Sequence, residues 1–273
     1  MPLFDTHAHY NDDAFDQDRE ELLDALPAAG VGAVVIPGVD AASSRSALAL
    51  AETRPWLFAA AGIHPEDCAG CTAADFSAIR DLCREKKVVA IGEIGLDYYW
   101  AENPPKEFQQ MVFRRQLELA LELELPVIVH DREAHGDSLE IVKEFPGVRG
   151  VFHCFSGSPE MAEELLKLGW MLSFNGAITF KNARKAPEVI AAVPLERMMV
   201  ESRDSIIDAA AFREIPPGIS SPKTSECPVP DLLPYQQAMN IYEREYLSAM
   251  VAYCGWDLRK AAGKMELHLS TLY

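Results

Sequence analysis

Two histidines near the start of the chain are the first residues whose type and spacing could do chemistry. His7 and His9 are separated by one residue in the stretch FDTHAHYND, directly after Asp5. In an extended strand the side chains of residues i and i+2 point to the same face, so both imidazoles could bind one metal ion. Two ligands do not make a site, and a pair of surface histidines is the simpler interpretation of this motif alone.

Further candidate ligands lie at the ends of other short apolar segments. His64 follows LFAAAGI, Glu93 and Asp97 lie in VVAIGEIGLD, His130 follows PVIV, and His153 follows GVF. Each histidine taken singly could be a core residue with a satisfied ring. Their shared position favours a common site. Histidines and acidic residues recur at the point where several predicted strands would end, and metal ions bind both residue types.

Glu93 is the sharpest of these signals, because its segment should be buried. An ionised carboxylate in an apolar segment is costly without a partner. An ion pair with a lysine or arginine would satisfy it, but no nearby segment end offers one convincingly, and a metal ion fits better. Nitrogen and carboxylate ligands suit zinc, manganese or iron, and with water they can hold magnesium. Four of these histidines and Glu93 would make five ligands, which are generous for one ion and compatible with two ions bridged by Glu93.

The elements that must position these residues form a regular series. Up to about Glu201, amphipathic helix patterns such as 16–26, 108–123 and 158–168 alternate with apolar runs. The eight runs are LFDTHAH, GAVVIPG, LFAAAGIHP, VVAIGEIGLD, PVIVHDR, GVFHCFSG, MLSFNGA and RMMVES. Their composition suits strands buried on both faces, as in a parallel sheet. The series predicts an α/β fold, a (β/α)8 barrel of the TIM type, with a doubly wound open sheet as the alternative. In a barrel the carboxyl ends of the strands meet at one mouth, so these distant residues would converge.

Composition and charge narrow the functional class. The chain has 273 residues, is 49% hydrophobic and carries a formal charge of −17. This charge argues against a protein that holds nucleic acid by its general surface charge. A phosphate substrate stays possible if metal cations supply local positive charge. Six scattered cysteines, of which Cys68 and Cys71 form an incidental C-x-x-C, suit a reducing compartment. The absence of a signal peptide or an apolar span predicts a cytoplasmic protein without membrane contact.

The character of the chain changes after about Ser202. Six prolines crowd residues 216–234, and the stretch from Tyr235 onward has helical patterns. This predicts three parts: a barrel over residues 1–201, a linker over 202–234 and a helical segment over 235–273.

The motifs of the first part resemble the TatD family of metal-dependent deoxyribonucleases, within the amidohydrolase-like barrels. The resemblance covers about residues 1–201 and rests on FDTHAHYND, GIHP, GEIGLDYYW, the segment around PVIVHDREAHGD, HCFSGS and LSFNGAITFKNA. It implies a hydrolase with two divalent metal ions (magnesium, zinc or manganese) that removes nucleotides from DNA ends. DNA is then the substrate, and no obligate protein partner is indicated.

The resemblance also implies roles for individual residues. His7, His9 and Glu93 would hold one ion, and Glu93, His130 and His153 would hold the other. His64 would lie near the substrate phosphate.

One motif departs from the family. The last strand of the family normally ends in a sequence like VETDAP, whose Asp is a metal ligand and catalytic base, and here Val200-Glu201-Ser202-Arg203-Asp204 stands in its place. Arg203 aligns with that Asp. Asp204 is one residue late, which reverses the side-chain direction in a strand, so its role as the base is an open possibility. The substitution predicts feeble nuclease activity.

The helical segment resembles a different family. YEREYLSAMVAYCGWDLRKAAGKMELHLSTLY is similar to the Fis-type helix-turn-helix of NtrC-like bacterial regulators, truncated within its recognition helix. An ordinary helical hairpin is the alternative. Two functions therefore compete with the leading hypothesis of a two-metal phosphodiesterase acting on DNA. One is a DNA-binding regulator fragment, against which the truncated recognition helix and the acidic charge argue. The other is an impaired barrel that binds metal without turnover.

Overall fold

Eight parallel strands in chain order form the central sheet. A computed structural model of the protein describes residues 3–179 and 185–201. The strands within these residues are β1 (Leu3–Asp5), β2 (Val31–Pro37), β3 (Leu57–Ala61), β4 (Val88–Asp97), β5 (Val127–Arg132), β6 (Gly150–Phe152), β7 (Met171–Phe174) and β8 (Met198–Val200). Seven of the eight apolar runs contain one strand each, and β2 begins one residue before the run GAVVIPG. Each strand pairs in parallel with the next along the chain.

The sheet nearly closes into a barrel between its first and last strands. The backbone nitrogen of Thr6, just after β1, donates to the carbonyl oxygen of Val200 in β8 at 3.4 Å. The Thr6 hydroxyl donates to the same oxygen at 3.2 Å. The predicted (β/α)8 barrel is confirmed. The doubly wound alternative is wrong, because a doubly wound sheet reverses its strand order and this order runs without reversal.

Helices follow the strands and cover the sheet. They are α1 (Arg19–Ala25), α2 (Ala41–Glu52), α3 (Ala73–Leu82), α4 (Lys106–Leu123), α5 (His135–Lys143), α6 (Pro159–Lys167) and α7 (Ala186–Ala192). α6 begins as predicted, since the Ser158 side chain accepts from the backbone nitrogen of Met161 and Pro159 occupies the first turn. α1 is shorter than its pattern predicted, because a 3-10 turn over Asp13–Phe15 takes up the chain just before it. None of the described helices is long and apolar enough to cross a bilayer.

Two apolar layers lie on the two faces of the sheet. The larger layer fills the space between strands and helices. The smaller one lines the barrel interior and consists of Val35, Ala60, Ala90, Ile128 and Val151, with Phe58, Val89, Met171 and Met199 against it. This explains why the strands read as continuous apolar runs, since both of their faces are buried.

The inward-facing side chains change in chemistry along each strand. Two residues beyond an interior apolar residue, the same face of the strand carries a polar one, because side chains alternate with period 2. The pairs are Ile128 with His130, Val151 with His153, Met171 with Ser173, and Met199 with Glu201. The barrel interior is therefore apolar in its middle and polar at the mouth formed by the carboxyl ends of the strands.

Several predictions made from the sequence fall outside the described residues. These concern the linker at 202–234, the helical segment at 235–273 with its similarity to a Fis-type helix-turn-helix, and the residues Arg203 and Asp204.

Candidate metal centre

Glu93 lies at the centre of the mouth and divides the surrounding histidines into two groups. Its Oε2 faces the first pair, at 3.2 Å from His7 Nε2 and 3.5 Å from His9 Nε2. Its Oε1 faces the second pair, at 2.9 Å from His130 Nδ1 and 2.7 Å from His153 Nε2. The Glu93 side chain is only 4% exposed. One buried carboxylate thus presents a different oxygen to each pair of histidines.

The ring nitrogens within each pair are also close to one another. His7 Nε2 and His9 Nε2 are 3.0 Å apart, and His130 Nδ1 and His153 Nε2 are 3.3 Å apart. Atoms that each lie about 2.1 Å from one ion are about 3.0–3.4 Å from each other, so these spacings are those of ligands that share an ion. The five residues that the sequence singled out as ligands are therefore brought together.

The two groups of ligand atoms are not sharply separated. The His7 and His153 rings stack with their centroids 4.1 Å apart and their planes at 5°. Ligand atoms close enough to hold an ion occur in His7, Glu93 and His153, and also in His64, Glu93 and His130. The residues therefore form one continuous cluster around Glu93, and its chemistry, imidazole nitrogens plus a carboxylate, suits a divalent transition metal.

The local structure of β4 places Glu93 in this cluster. The register between β4 and β5 shifts between Ile91 and Ile94, which interrupts the regular alternation of side chains. The backbone nitrogen of Glu93 donates to the Gly38 carbonyl at 2.8 Å and fixes the segment against the end of β2. Gly95 has φ +139°, and a Cβ there would lie 2.0 Å from the His130 carbonyl oxygen. A glycine is required at this position, because only the absence of a side chain lets β4 approach His130 so closely.

Asp97, at the end of β4, holds the second nitrogen of His130. Asp97 Oδ2 lies 3.0 Å from His130 Nε2, so the ring nitrogen that faces Glu93 is Nδ1. Asp97 is itself held, because its backbone nitrogen donates to Gln109 Oε1 at 2.9 Å and its Oδ1 accepts from Asn103 Nδ2 at 3.0 Å. The sequence pattern identified Asp97 only as an acidic residue at a strand end, and its partner was not predicted.

Glu201, just after β8, lies at ion-pair distance from the second nitrogen of His153, without a hydrogen bond to it. Glu201 Oε1 lies 3.5 Å from His153 Nδ1, so Nε2 is the nitrogen that faces Glu93. The Ser173 hydroxyl donates to Glu201 Oε2, and Asn175 Nδ2 donates to Oε1 at 3.5 Å. Sequence reasoning missed this residue as part of the site. The signal was present, since Glu201 lies two residues beyond inward-facing Met199.

Charges inside the cluster shift its pKa values in opposite directions. Burial alone would raise the pKa of Glu93, but the neighbouring His153, His7 and His64 outweigh it and hold the pKa well below the ordinary value. Burial alone would lower the pKa of His153, but Glu93 and Glu201 raise that pKa well above the ordinary value. The cluster therefore favours an ionised Glu93, and a bound cation beside the carboxylate would favour it in the same direction.

His64 approaches the same carboxylate from the loop after β3. Its Nε2 lies 3.5 Å from Glu93 Oε1. Its Nδ1 accepts the backbone N–H of Glu66 at 3.2 Å. In the neutral ring the proton is then on Nε2, so that nitrogen faces the site as a donor and cannot bind metal in this tautomer.

A cavity of about 950 Å³ opens above the cluster. His9, His64, Glu93 and His130 form part of its wall. The cavity is thus large enough for a nucleotide-sized ligand, and the grouped side chains are accessible from it.

Comparisons with known proteins find similarity to one family in both sequence and structure. A sequence model of the family described as TatD related DNase matches residues 4–212. The uncharacterized metal-dependent hydrolase YabD of Bacillus subtilis is 42% identical over 213 residues, which are 77% of this chain and 83% of the relative. The 3'-5' ssDNA/RNA exonuclease TatD of Klebsiella pneumoniae is 32% identical over 254 residues, which are 90% of this chain and 94% of the relative. The crystal structure of YJJV, a TatD homologue from Escherichia coli, is similar with a TM-score of 0.69 and 36% identity, covering 73% of this chain and 78% of that chain.

Proposed function

The chain belongs to the family of TatD-related DNases, and from this membership we propose that it hydrolyses phosphodiester bonds of DNA at a centre of two divalent metal ions. The observation that carries the proposal is that the two oxygens of the Glu93 carboxylate face different histidines. Oε2 faces His7 and His9, and Oε1 faces His130 and His153. A carboxylate shared in this way is what two neighbouring ions require of a bridging ligand.

The chemistry of the donors supports magnesium, zinc or manganese as the ions. We propose that His7, His9 and Glu93 hold one ion and that Glu93, His130 and His153 hold the other. When bound, divalent ions in such a centre activate a water molecule and neutralise charge on the phosphate. The protein contributes fixed ligand geometry, and Asp97 and Glu201 keep the free nitrogens of His130 and His153 towards Glu93.

His64 is proposed as a contact to the substrate phosphate. Its tautomer supports this role, because the Glu66 backbone N–H occupies Nδ1 and leaves Nε2–H to donate into the site. A non-bridging phosphate oxygen is an acceptor for such a donor. The neutral ring in this tautomer is unsuited to act as a further metal ligand.

The substrate is proposed to be DNA, cleaved from an end. Several relatives carry the name 3'-5' ssDNA/RNA exonuclease TatD, and the Klebsiella pneumoniae protein is matched over most of its length. The net charge of −17 is compatible with this substrate only if local cations at the mouth offset it, as bound ions would do. No protein partner and no membrane contact are needed for the reaction.

Glu201→Gln is expected to weaken metal binding about 10- to 100-fold, because His153 loses the carboxylate that orients its ring. Isothermal titration of zinc or manganese into the chelator-treated protein measures this affinity. Glu188→Gln, an exposed position on α7, is the matched control and should bind like the unmodified chain. Equal affinities for the two variants, with both folded by circular dichroism, would show that Glu201 does not support the centre.

Metal removal tests the function itself. Treatment with a chelator is expected to abolish hydrolysis of a labelled single-stranded oligonucleotide, and manganese, zinc or magnesium should restore it. Denaturing electrophoresis distinguishes stepwise loss from one end from internal cleavage. Undiminished hydrolysis in excess chelator, or no hydrolysis with any of the three metals at high protein concentration, would contradict the proposal.

The catalytic base is part of the proposal that rests on the sequence alone. Asp204 is the candidate, because Arg203 stands at the position of the family Asp. A barrel that binds metal and turns over feebly is the corresponding alternative, favoured by the positive charge of Arg203. Both residues lie outside the described part of the chain.

We also propose the remaining organisation from sequence. Residues 1–201 would form the hydrolase barrel, 202–234 a linker, and 235–273 a helical segment similar to part of a Fis-type helix-turn-helix. A cytoplasmic location is proposed from the cysteines, because Cys68, Cys71 and Cys83 are free thiols among the described residues.

A further inference from the structure

Two exposed aromatic rings and an arginine stand together at the rim of the metal centre. Tyr99 is 52% exposed and Trp100 is 44% exposed, in the loop that follows β4. Their ring centroids are 4.7 Å apart with the planes at 87°. Arg132, at the end of β5, places its guanidinium carbon 3.9 Å from the Tyr99 ring centre and 5.3 Å from the Trp100 ring centre. We call Tyr99, Trp100 and Arg132 the rim platform.

The rim platform is held from below by the same residues that hold His130. Asp97 Oδ1 accepts the backbone N–H of Tyr99 at 2.9 Å, while Asp97 Oδ2 faces His130. The backbone nitrogen of Tyr98 donates to the Arg132 carbonyl at 2.9 Å. Asn103 bonds both to Asp97 and, through its backbone nitrogen, to the Trp100 carbonyl. The backbone that carries the two rings is therefore fixed relative to the candidate metal centre, so binding to them costs little ordering of the loop.

Two of the three residues of the rim platform line the same cavity as several of the proposed metal ligands. Trp100 and Arg132 line this cavity together with His64, Glu93 and His130. Among the described residues that line it, Arg132 is the one arginine or lysine, and acidic side chains are several. Arg132 also forms no salt bridge with another described residue, so its charge is available to an anionic ligand.

We propose that the rim platform binds the nucleotide next to the phosphodiester that is cut, with its base stacked on Trp100 and its phosphate on Arg132. This inference rests on the proposed function and adds a binding subsite to it. Aromatic faces accept any base, which suits an enzyme that removes nucleotides in succession. Arginine supplies a planar, permanently charged donor for phosphate oxygens and also stacks on the tyrosine.

The subsite requires an unpaired base. A base within a duplex has both faces covered by its neighbours, so it must leave the stack before Trp100 can take their place. The rim platform therefore predicts that single-stranded or frayed ends bind better than a blunt duplex end. The preference follows from the geometry of the rings and does not require base-specific hydrogen bonds.

Binding is tested without turnover, using the full chain and a single-stranded oligonucleotide with phosphorothioate linkages. The fluorescent base 2-aminopurine is placed in turn at each of the terminal positions, with manganese present. Stacking on Trp100 quenches this base at one position. Trp100→Ala is expected to weaken binding on the order of tenfold and to remove the quenching. Leu168→Ala, which removes an exposed apolar side chain at the end of α6, is the control and should behave like the unmodified chain.

An oligonucleotide with one abasic nucleotide distinguishes the contribution of Trp100 to binding from that of Arg132. With the base removed at the quenched position, the unmodified chain and Trp100→Ala should bind equally weakly, because neither has a stacking contact. Arg132→Gln should weaken binding of the abasic and the complete oligonucleotide by similar factors, since its contact is to phosphate. Absence of quenching at every position, or equal losses on both oligonucleotides for Trp100→Ala, would overturn the proposal.

The experiments distinguish a wrong proposal about the rim platform from a wrong proposal about the hydrolase function. A chain that hydrolyses DNA in a metal-dependent way but never quenches 2-aminopurine contradicts the platform alone. A chain that binds and quenches through Trp100, yet cleaves no phosphodiester with any metal, supports the platform and contradicts the hydrolase.

Discussion

Replacing Glu93 by glutamine is expected to prevent the binding of both metal ions and to reduce hydrolysis on the order of a thousandfold, about 4 kcal/mol of transition-state free energy. The two side chains have nearly the same shape, so packing around β4 is kept. The negative charge is lost, and one oxygen becomes an NH2 group that donates and cannot bind metal. Both histidine pairs face this side chain, so a single substitution affects both groups.

Metal content after dialysis and the rate of oligonucleotide cleavage measure this effect. Glu188→Gln changes the same residue type at an exposed site and should leave both quantities unchanged. A melting curve in excess chelator reports any effect on the fold itself. Two equivalents of tightly bound metal in Glu93→Gln would contradict the bridging role of Glu93, whatever the activity.

Arg203→Asp is expected to raise turnover roughly 10- to 100-fold. A cation about 5 Å from a divalent ion costs on the order of several kcal/mol at an effective dielectric near 20, and solvent screening reduces this figure. The substitution removes that repulsion and restores the carboxylate found in the family motif. This prediction is argued from the sequence alone, since Arg203 and Asp204 are outside the described residues.

Metal titration accompanies this comparison. In the unmodified chain, we expect metal to bind more readily at Glu93, His130 and His153 than at His7 and His9, because Arg203 is proposed to weaken the first of the two metal sites. Arg203→Gln separates loss of the positive charge from gain of the negative one and should give an intermediate rate. If the unmodified chain is fully active, is indifferent to Arg203→Asp and is inactivated by Asp204→Ala, then Asp204 is the base and the ungapped alignment is wrong.

The local pattern of apolar residues in the sequence was sufficient to predict the architecture. The run VVAIGEIGLD coincides with β4 over Val88–Asp97, six of the other seven apolar runs contain their strands, and β2 begins one residue before GAVVIPG. Strands buried on both faces must be apolar throughout, and this requirement can be read without knowing any tertiary contact. The start of α1 was misjudged, since the 3-10 turn at Asp13–Phe15 depends on side-chain bonds that periodicity does not record.

The residues of the candidate site were also largely predictable from the sequence. His7, His9, Glu93, His130 and His153 were recognisable because polar residues at the ends of buried segments need partners. The parallel barrel then makes those ends meet, so a linear pattern becomes a spatial one.

Tertiary structure alone decided which atoms face each other. The assignment of one Glu93 oxygen to each histidine pair, the support of His153 by Glu201, and the stacking of Arg132 on Tyr99 join residues from different strands. Such contacts depend on strand register, for example the pairing of Asp97 with Arg132 across β4 and β5. Register follows from how all the strands pack and close into the barrel, and no single segment contains that information.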